Sequence, residues 1–174
     1  LSDGAGEIVA IGSGVRRFAV GDRVMTSFFQ GWHAGDPTPE KLATSLGGPL
    51  DGTLAELRCF HEDGVCRVPD LVSLEEAASL PCAAVTAYHS LFPEAGLTAG
   101  DTVLVQGTGG VSIFGLQFAH AAGARVIVTS SSDEKLARAN QLGAAATINY
   151  RSVPEWSADV QKLTAGRGVD HIIE

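Results

Sequence analysis

No stretch of this chain approaches the roughly 18 to 20 apolar residues that span a bilayer, and no charged-then-apolar leader opens it. A membrane location and export are therefore not expected, and a cytoplasmic protein is. Basic residues are also few: Lys and Arg number 12 against 20 Asp and Glu, for a net charge of −8, and they form no cluster. That balance sets aside nucleic acid and anionic membrane surfaces as partners. Cysteine is scarcer still. Cys59, Cys66 and Cys82 are an odd, sparse set that favours reduced thiols, expected to behave as small buried hydrophobes. Methionine is absent from the first position, where Leu1 stands, and Glu174 ends an apolar strand-like run, so the chain reads as a piece of something longer.

Apolar residues and glycine, by contrast, are plentiful: 45% of the chain is hydrophobic and 21 residues are glycine. They are most informative between Thr102 and Ser130. Thr102 to Gln106 is a short apolar run, Val111 to Ala122 has helical spacing with Gly123 as its stop, and Arg125 to Thr129 is a second apolar run. This predicts a βαβ unit. Its first turn, Gly107-Thr108-Gly109-Gly110-Val111-Ser112, matches the dinucleotide fingerprint at Gly107 and Gly109 but has Ser112 where the third glycine usually stands. Gly107 suits a tight turn, Gly109 lets a pyrophosphate approach the backbone, and the helix start offers unpaired N–H groups. No Gly-Lys-Ser/Thr follows, which disfavours an NTPase phosphate loop.

The chain before this unit is expected to be β-rich, with short strands at Glu7 to Ile11, Arg23 to Thr26, Leu54 to Phe60 and Val65 to Val68. Gly21-Asp22 and Gly100-Asp101 each feed a strand by the same glycine turn. Phe28 to Pro49 is a long irregular connection in which Phe29 and Trp32 are candidates to wall a substrate pocket, while His33 reads as solvated. Ser73 to Glu76 reads as a capping box, and Cys82 to Phe92 as a helix linking the two parts. A boundary near Val85 divides residues 1–85 from residues 86–174. Beyond the βαβ unit, Ser132 can cap a helix to Leu142, Ala144 to Tyr150 is a third strand, Pro154 to Thr164 a helix with Pro154 near its first position, and Val169 to Ile173 a fourth strand. His120 reads as solvated on a polar helix face. The alternation implies an α/β fold with a doubly wound, parallel Rossmann-type sheet. It is incomplete against the six strands of such sheets, which leaves the edge beyond Ile173 unpaired.

NAD-binding versions place an acidic residue about 20 residues past the glycines, where this chain has Thr129-Ser130-Ser131-Ser132. Small hydroxyls with Lys135 nearby would receive a 2′-phosphate that a carboxylate would repel, and Tyr150 and Arg151 end the next strand within reach of it. NADPH is thus expected over NADH.

Taken together, SDGAGEIVAIG (2 to 12), VGDRV (20 to 24), DGTLAEL (51 to 57), EEAASLPCAAVTAYHSL (75 to 91), VLVQGTGGVSIFGLQFA (103 to 119) and SSDEKLARANQLGA (131 to 144) resemble the medium-chain dehydrogenase/reductase superfamily, above all its NADPH-dependent, zinc-independent, quinone oxidoreductase-like branch. The resemblance implies a β-rich GroES-like catalytic domain ahead of the Rossmann domain, both incomplete here. It also implies a homodimer at full length, and a chain that is not competent alone. Thr108, Gly109, Gly110, Val111 and Ser112 match the pyrophosphate loop, Ser130, Ser131, Lys135 and Tyr150 the 2′-phosphate positions, and Thr86 a residue near the nicotinamide. Ser112 puts the closeness of helix approach in question.

Zinc-using members of the superfamily have Gly-His-Glu where this chain has Leu1-Ser2-Asp3, so the histidine ligand position is Ser2. Cys82 matches another catalytic ligand position, but one thiol does not hold a tetrahedral ion, and the four-cysteine structural lobe is missing. Cys59, His61 and Cys66 have a spacing that fits no zinc pattern, so no metal is expected. The resemblance then implies hydride transfer from NADP(H) to a small-molecule acceptor, a quinone, enone or aldehyde, with no residue standing out as catalytic acid or base. A zinc-type alcohol dehydrogenase and a non-catalytic NADPH-binding sensor are the alternatives.

Overall fold

The computed structural model describes residues 1–174, which divide into two compact units, Leu1–Cys82 and Ala83–Glu174. In the first, β1 (Ala5–Glu7), β2 (Arg23–Thr26) and β3 (Val65–Arg67) form an antiparallel sheet in the order β1-β2-β3. The turn into β2 is set by Asp22, whose carboxylate accepts the Ala19 N–H at 2.8 Å while Gly21 takes φ +92°. The turn before Thr102 repeats this: Asp101 accepts the Thr98 N–H at 2.8 Å and Gly100 has φ +94°. Asp22 also receives the Arg67 guanidinium at 2.6 Å, which ties β2's entry to β3 and holds its carboxyl below the usual range.

Two of the expected strands differ. The first pairs at Ala5–Glu7 rather than Glu7 to Ile11, because Val9 and Ile11 lie exposed beyond the paired register. Leu54 to Phe60 is irregular, with Leu54 and Leu57 83% and 72% exposed; an apolar run reads as a strand, but no strand pairs with it. The long connection contains one helical turn, α1 (Pro39–Leu42), capped by Thr38. The capping box opens α2 (Leu74–Ala77) as expected: Ser73 Oγ accepts the Glu76 N–H at 3.1 Å, and Glu76 returns the contact to the Ser73 N–H at 2.9 Å.

A continuous helical run covers residues 80–94, longer than Cys82 to Phe92. Its middle, α3 (Val85–His89), is flanked by wider π turns at Leu80–Ala84 and Ser90–Glu94, and the second of these contains Pro93, whose ring cannot sit in a regular α turn.

The second unit is a parallel sheet ordered β6-β5-β4-β7, made of β4 (Thr102–Gln106), β5 (Arg125–Ser130), β6 (Ala146–Asn149) and β7 (His171–Ile173). The period-2 alternation of the strands sorts their side chains. Val103, Val105, Val126 and Val128 face one layer with Leu91, Leu116 of α4 (Gly110–Ala121) and Leu136 of α5 (Asp133–Gln141). Leu104, Ile127 and Ile148 face Val160 of α6 (Trp156–Leu163) on the other. The sheet is therefore doubly wound. Gly123 and Gly143 end α4 and α5 with positive φ, as expected. Pro154 does not start α6: it sits in the preceding turn, and Glu155 occupies the cap with no side-chain bond. No helix is long and apolar enough to cross a membrane.

β7 is held at the sheet's amino-terminal side by a polar clamp. Asp170 accepts the Thr102 N–H at 2.7 Å and the Arg167 guanidinium at 2.6 Å. The Arg167 contact, then the Thr102 N–H, pulls the Asp170 carboxyl below its ordinary value of 3.8. A depressed acid contributes stability above the unfolded value and loses it as pH falls through the folded one. Asp170→Asn is therefore expected to lower Tm at neutral pH, with the gap to the parent closing on acidification below 3.8. A gap independent of pH, measured by thermal melts across the acid range, would remove the clamp's charge from the account.

Candidate cofactor site

Three turns meet at the carboxyl ends of β4, β5 and β6. Gly107 follows β4 with φ +89°, a conformation that side-chain-bearing residues rarely adopt, and its N–H donates to the Thr129 carbonyl at 2.8 Å. Gly109 is the N-cap of α4, exposed and extended (φ −76°, ψ 179°), with no side-chain cap on the helix. A Cβ built there meets no heavy atom within 4 Å. The head of α4 is thus an open cradle of first-turn N–H groups that no side chain satisfies.

The remaining loop residues hold that cradle. Val111 packs on the core, and a Cβ on Gly110 would stand 3.2 Å from that of Ala83, so the glycine eases the close approach of the helical run 80–94 to the α4 start. Ser112 is buried and its hydroxyl donates to the Gln106 carbonyl at 3.1 Å, pinning the helix to the strand it follows. The close helix–sheet approach that the third glycine of the fingerprint usually permits occurs three positions later, at Gly115, where a Cβ would lie 2.5 Å from the terminal methyl of Ile173. The serine is accordingly compatible with a closely packed helix.

The second turn carries the serines. Ser130 is 4% exposed; its hydroxyl accepts the Ser132 N–H at 3.4 Å and lies 3.5 Å from that of Thr108, joining the two turns from beneath. Ser132 caps α5 by accepting the Lys135 N–H at 3.4 Å. Ser131 is half-buried and Lys135 exposed in the first turn of the helix. The third turn begins at Tyr150, whose N–H donates to the Ser130 carbonyl at 3.1 Å and whose side chain is exposed. Thr108, Ser131, Lys135 and Tyr150 are therefore on adjoining turns. Thr86 is exposed on α3, the helix that packs against α4. The sequence reading passed over Asn149, which links the second and third turns; an Asn closing a strand before two polar residues is the turn signal that marks it.

The first unit brings Trp32, but not Phe29, to an open hollow of about 530 Å³ lined also by Arg17, Ser27, His33 and Cys66. Phe29 instead packs on Trp32, with ring centroids 5.2 Å apart. His33 is exposed. Cys59 and Cys66 are exposed and Cys82 half-buried, so the expected burial of all three does not hold: β3 turns Cys66 outward, and Cys59 lies in the unpaired run before it. His61 is used locally, its Nδ1 accepting the Asp63 N–H at 3.2 Å. Burial pushes the Asp3 carboxyl up, against the lowering influence of the Ser2 side chain and the Cys82 backbone, and its Oδ1 is buried with no hydrogen-bond partner. Within these residues no three His, Cys, Asp or Glu side chains come together.

Two family models match the chain: the alcohol dehydrogenase GroES-like domain over residues 1–70 and the zinc-binding dehydrogenase over residues 110–174. A zinc-type alcohol dehydrogenase-like protein of Schizosaccharomyces pombe is 48% identical over 99% of this chain and 51% of its own length. The chain belongs to the medium-chain dehydrogenase/reductase superfamily. Another member similar to it is a quinone oxidoreductase of Pseudomonas aeruginosa, 37% identical over 95% of the chain and 45% of its own length. Among solved medium-chain dehydrogenase/reductase structures, an NAD-dependent alcohol dehydrogenase superposes with TM-score 0.87 at 36% identity, covering 98% of the chain and 52% of that protein. A mycobacterial protein complexed with NADPH superposes with TM-score 0.76 at 31% identity, covering 98% and 48%. The chain spans about half the length of the relatives it matches.

Proposed function

We propose that the protein uses NADPH to reduce a small electrophilic acceptor, a quinone, enone or aldehyde, without zinc. The observation that carries this reading is the uncapped glycine cradle at the head of α4, adjoined by a serine-ended strand, Lys135 and Tyr150 where NAD-binding sheets place a carboxylate. The open space at Gly109 fits a diphosphate, which the first-turn N–H groups and Thr108 would hold, while Ser131, Lys135 and Tyr150 would hold a 2′-phosphate. Bound there, the dinucleotide supplies the hydride. The chain's part is to orient it. Ser130 and Ser112 fix the two turns from beneath, Gly110 eases the approach of the neighbouring helix, and Thr86 on that helix would stand near the nicotinamide if it matches the family position.

The zinc-free chemistry rests on the donor set: Ser2 stands where zinc-using members have an imidazole, and no three His, Cys, Asp or Glu side chains come together. Without a Lewis acid, an acceptor that delocalises the incoming charge is favoured over a simple ketone. The relative described as zinc-type, together with Cys82, favours a zinc-type alcohol dehydrogenase as the second reading; stoichiometric zinc in the purified full-length protein would establish it. Incubating that protein with NADPH and a panel of quinones, enones and aldehydes should show loss of cofactor absorbance. Tight NADPH binding with no turnover on any of them would instead indicate a sensor.

Lys135→Ala isolates the phosphate contact. Loss of a hydrogen bond to a charged group is worth about 1.5 kcal/mol, so NADPH affinity should fall about tenfold. NADH affinity should be unchanged, as followed by fluorescence titration. Equal affinities of the parent for the two cofactors would refute the phosphate site.

A further inference from the structure

Asn149 is the last residue of β6 and stands in register with Ser130, the last residue of β5. Its side chain makes two bonds in opposite directions. Nδ2 donates to Asp133 Oδ1 at 2.7 Å, in the first turn of α5, and Oδ1 accepts the Arg151 N–H at 3.0 Å. Its carbonyl accepts the N–H groups of Ser152 at 3.1 Å and Val153 at 2.9 Å, and closes the turn after β6. One half-buried amide therefore joins the turn bearing Ser131 and Lys135 to the turn bearing Tyr150 and Arg151. It also gives a donor to Asp133, a carboxylate only two residues from Lys135 and thus a source of repulsion for any phosphate held there.

We propose that Asn149 is a positioning residue for cofactor selectivity: its clasp on Asp133 fixes the two turns at the spacing that admits the 2′-phosphate of NADP(H) and engages one of the two acids of that turn, Asp133 and Glu134, that would oppose it. The role rests on the phosphate-site reading above. An amide suits the contact because it offers, at the two ends of one planar group, a donor toward Asp133 and an acceptor toward Arg151. Asn149→Asp sets two carboxylates against each other and opens the clasp. Asn149→Asp combined with Asp133→Asn restores it with donor and acceptor exchanged, since an aspartate at 149 still accepts from Arg151.

The test is NADPH and NADH affinity, by fluorescence titration of the full-length protein, for the parent, Asn149→Asp, Asp133→Asn with Asn149→Asp, and Lys135→Ala. The clasp predicts that Asn149→Asp lowers the NADPH-to-NADH affinity ratio about fivefold or more, at the upper end for one partly exposed charge contact. The exchanged pair should recover the parental ratio to within about twofold. General destabilisation would weaken both cofactors together and leave the ratio alone, as would a merely structural asparagine. If Lys135→Ala shifts the ratio and Asn149→Asp does not, or the exchanged pair fails to recover it, the clasp is overturned and the phosphate site stands. If the parent shows no preference and Lys135→Ala changes nothing, both fall.

Discussion

Gly109→Asp is expected to cost about 100-fold or more in NADPH affinity, roughly 2.7 kcal/mol, while leaving the fold as stable as before. The two halves of that expectation come from different features of one residue. At φ −76° and ψ 179° position 109 suits any amino acid, and a new Cβ meets nothing within 4 Å, so the substitution introduces neither strain nor clash. Aspartate is moreover among the best N-cap residues, and α4 has no side-chain cap to displace. The new carboxylate would satisfy the same first-turn N–H groups that a diphosphate needs, and would repel that diphosphate by charge. Calorimetry of binding alongside a thermal melt separates the two. Unchanged affinity for both dinucleotides would place the cofactor elsewhere, and a fall in Tm would mean the cradle is less open than described.

The largest loss of stability is expected from Leu116→Ala, about 2–5 kcal/mol. Leu116 is fully buried on the face of α4 that meets Val103, Val105, Val126 and Val128, all at most 1% exposed. Truncation leaves a cavity between a helix and a sheet that cannot close without moving α4, and α4 is pinned at one end by the Ser112–Gln106 bond and packed against Ile173 at Gly115. Urea unfolding should show a lower midpoint for the Ala83–Glu174 unit. A change under about 1 kcal/mol would mean that this layer is loosely packed. Cofactor affinity measured well below the transition should be little altered, since the glycine cradle lies at the helix end.

The second unit was more legible in the sequence than the first. Buried parallel strands are continuous apolar runs bounded by glycine, so β4 and β5 stand out, and helix ends carry chemical labels: Ser132 as cap, Gly123 and Gly143 as stops. In the first unit an apolar run is no guide to pairing. Leu54 to Phe60 has the composition of a strand and lies exposed, because a strand is defined by its neighbour and not by its own residues. Of the site, the glycine cradle follows from local sequence. The burial of Ser130 beneath Thr108 and the bond from Asn149 to Asp133 do not, since both depend on how parallel strands align at their ends. Ser112 shows the limit of a motif: a missing glycine weakens the match, yet the close approach it stands for is made at Gly115.

The edge position of β7 has a bearing on how this unit opens. β4, β5 and β6 follow one another along the chain, joined by single helices, whereas β7 reaches β4 across 68 residues and contributes only three to the sheet. Its Ile172 is 58% exposed. Local unfolding takes the least supported segment first, so within the four-stranded sheet of these 174 residues amide exchange should be quickest along His171–Ile173. Such fraying leaves intact the rungs from Gly107 to Thr129 and from Tyr150 to Ser130, and the cofactor turns can stay assembled while the far edge of the sheet breathes.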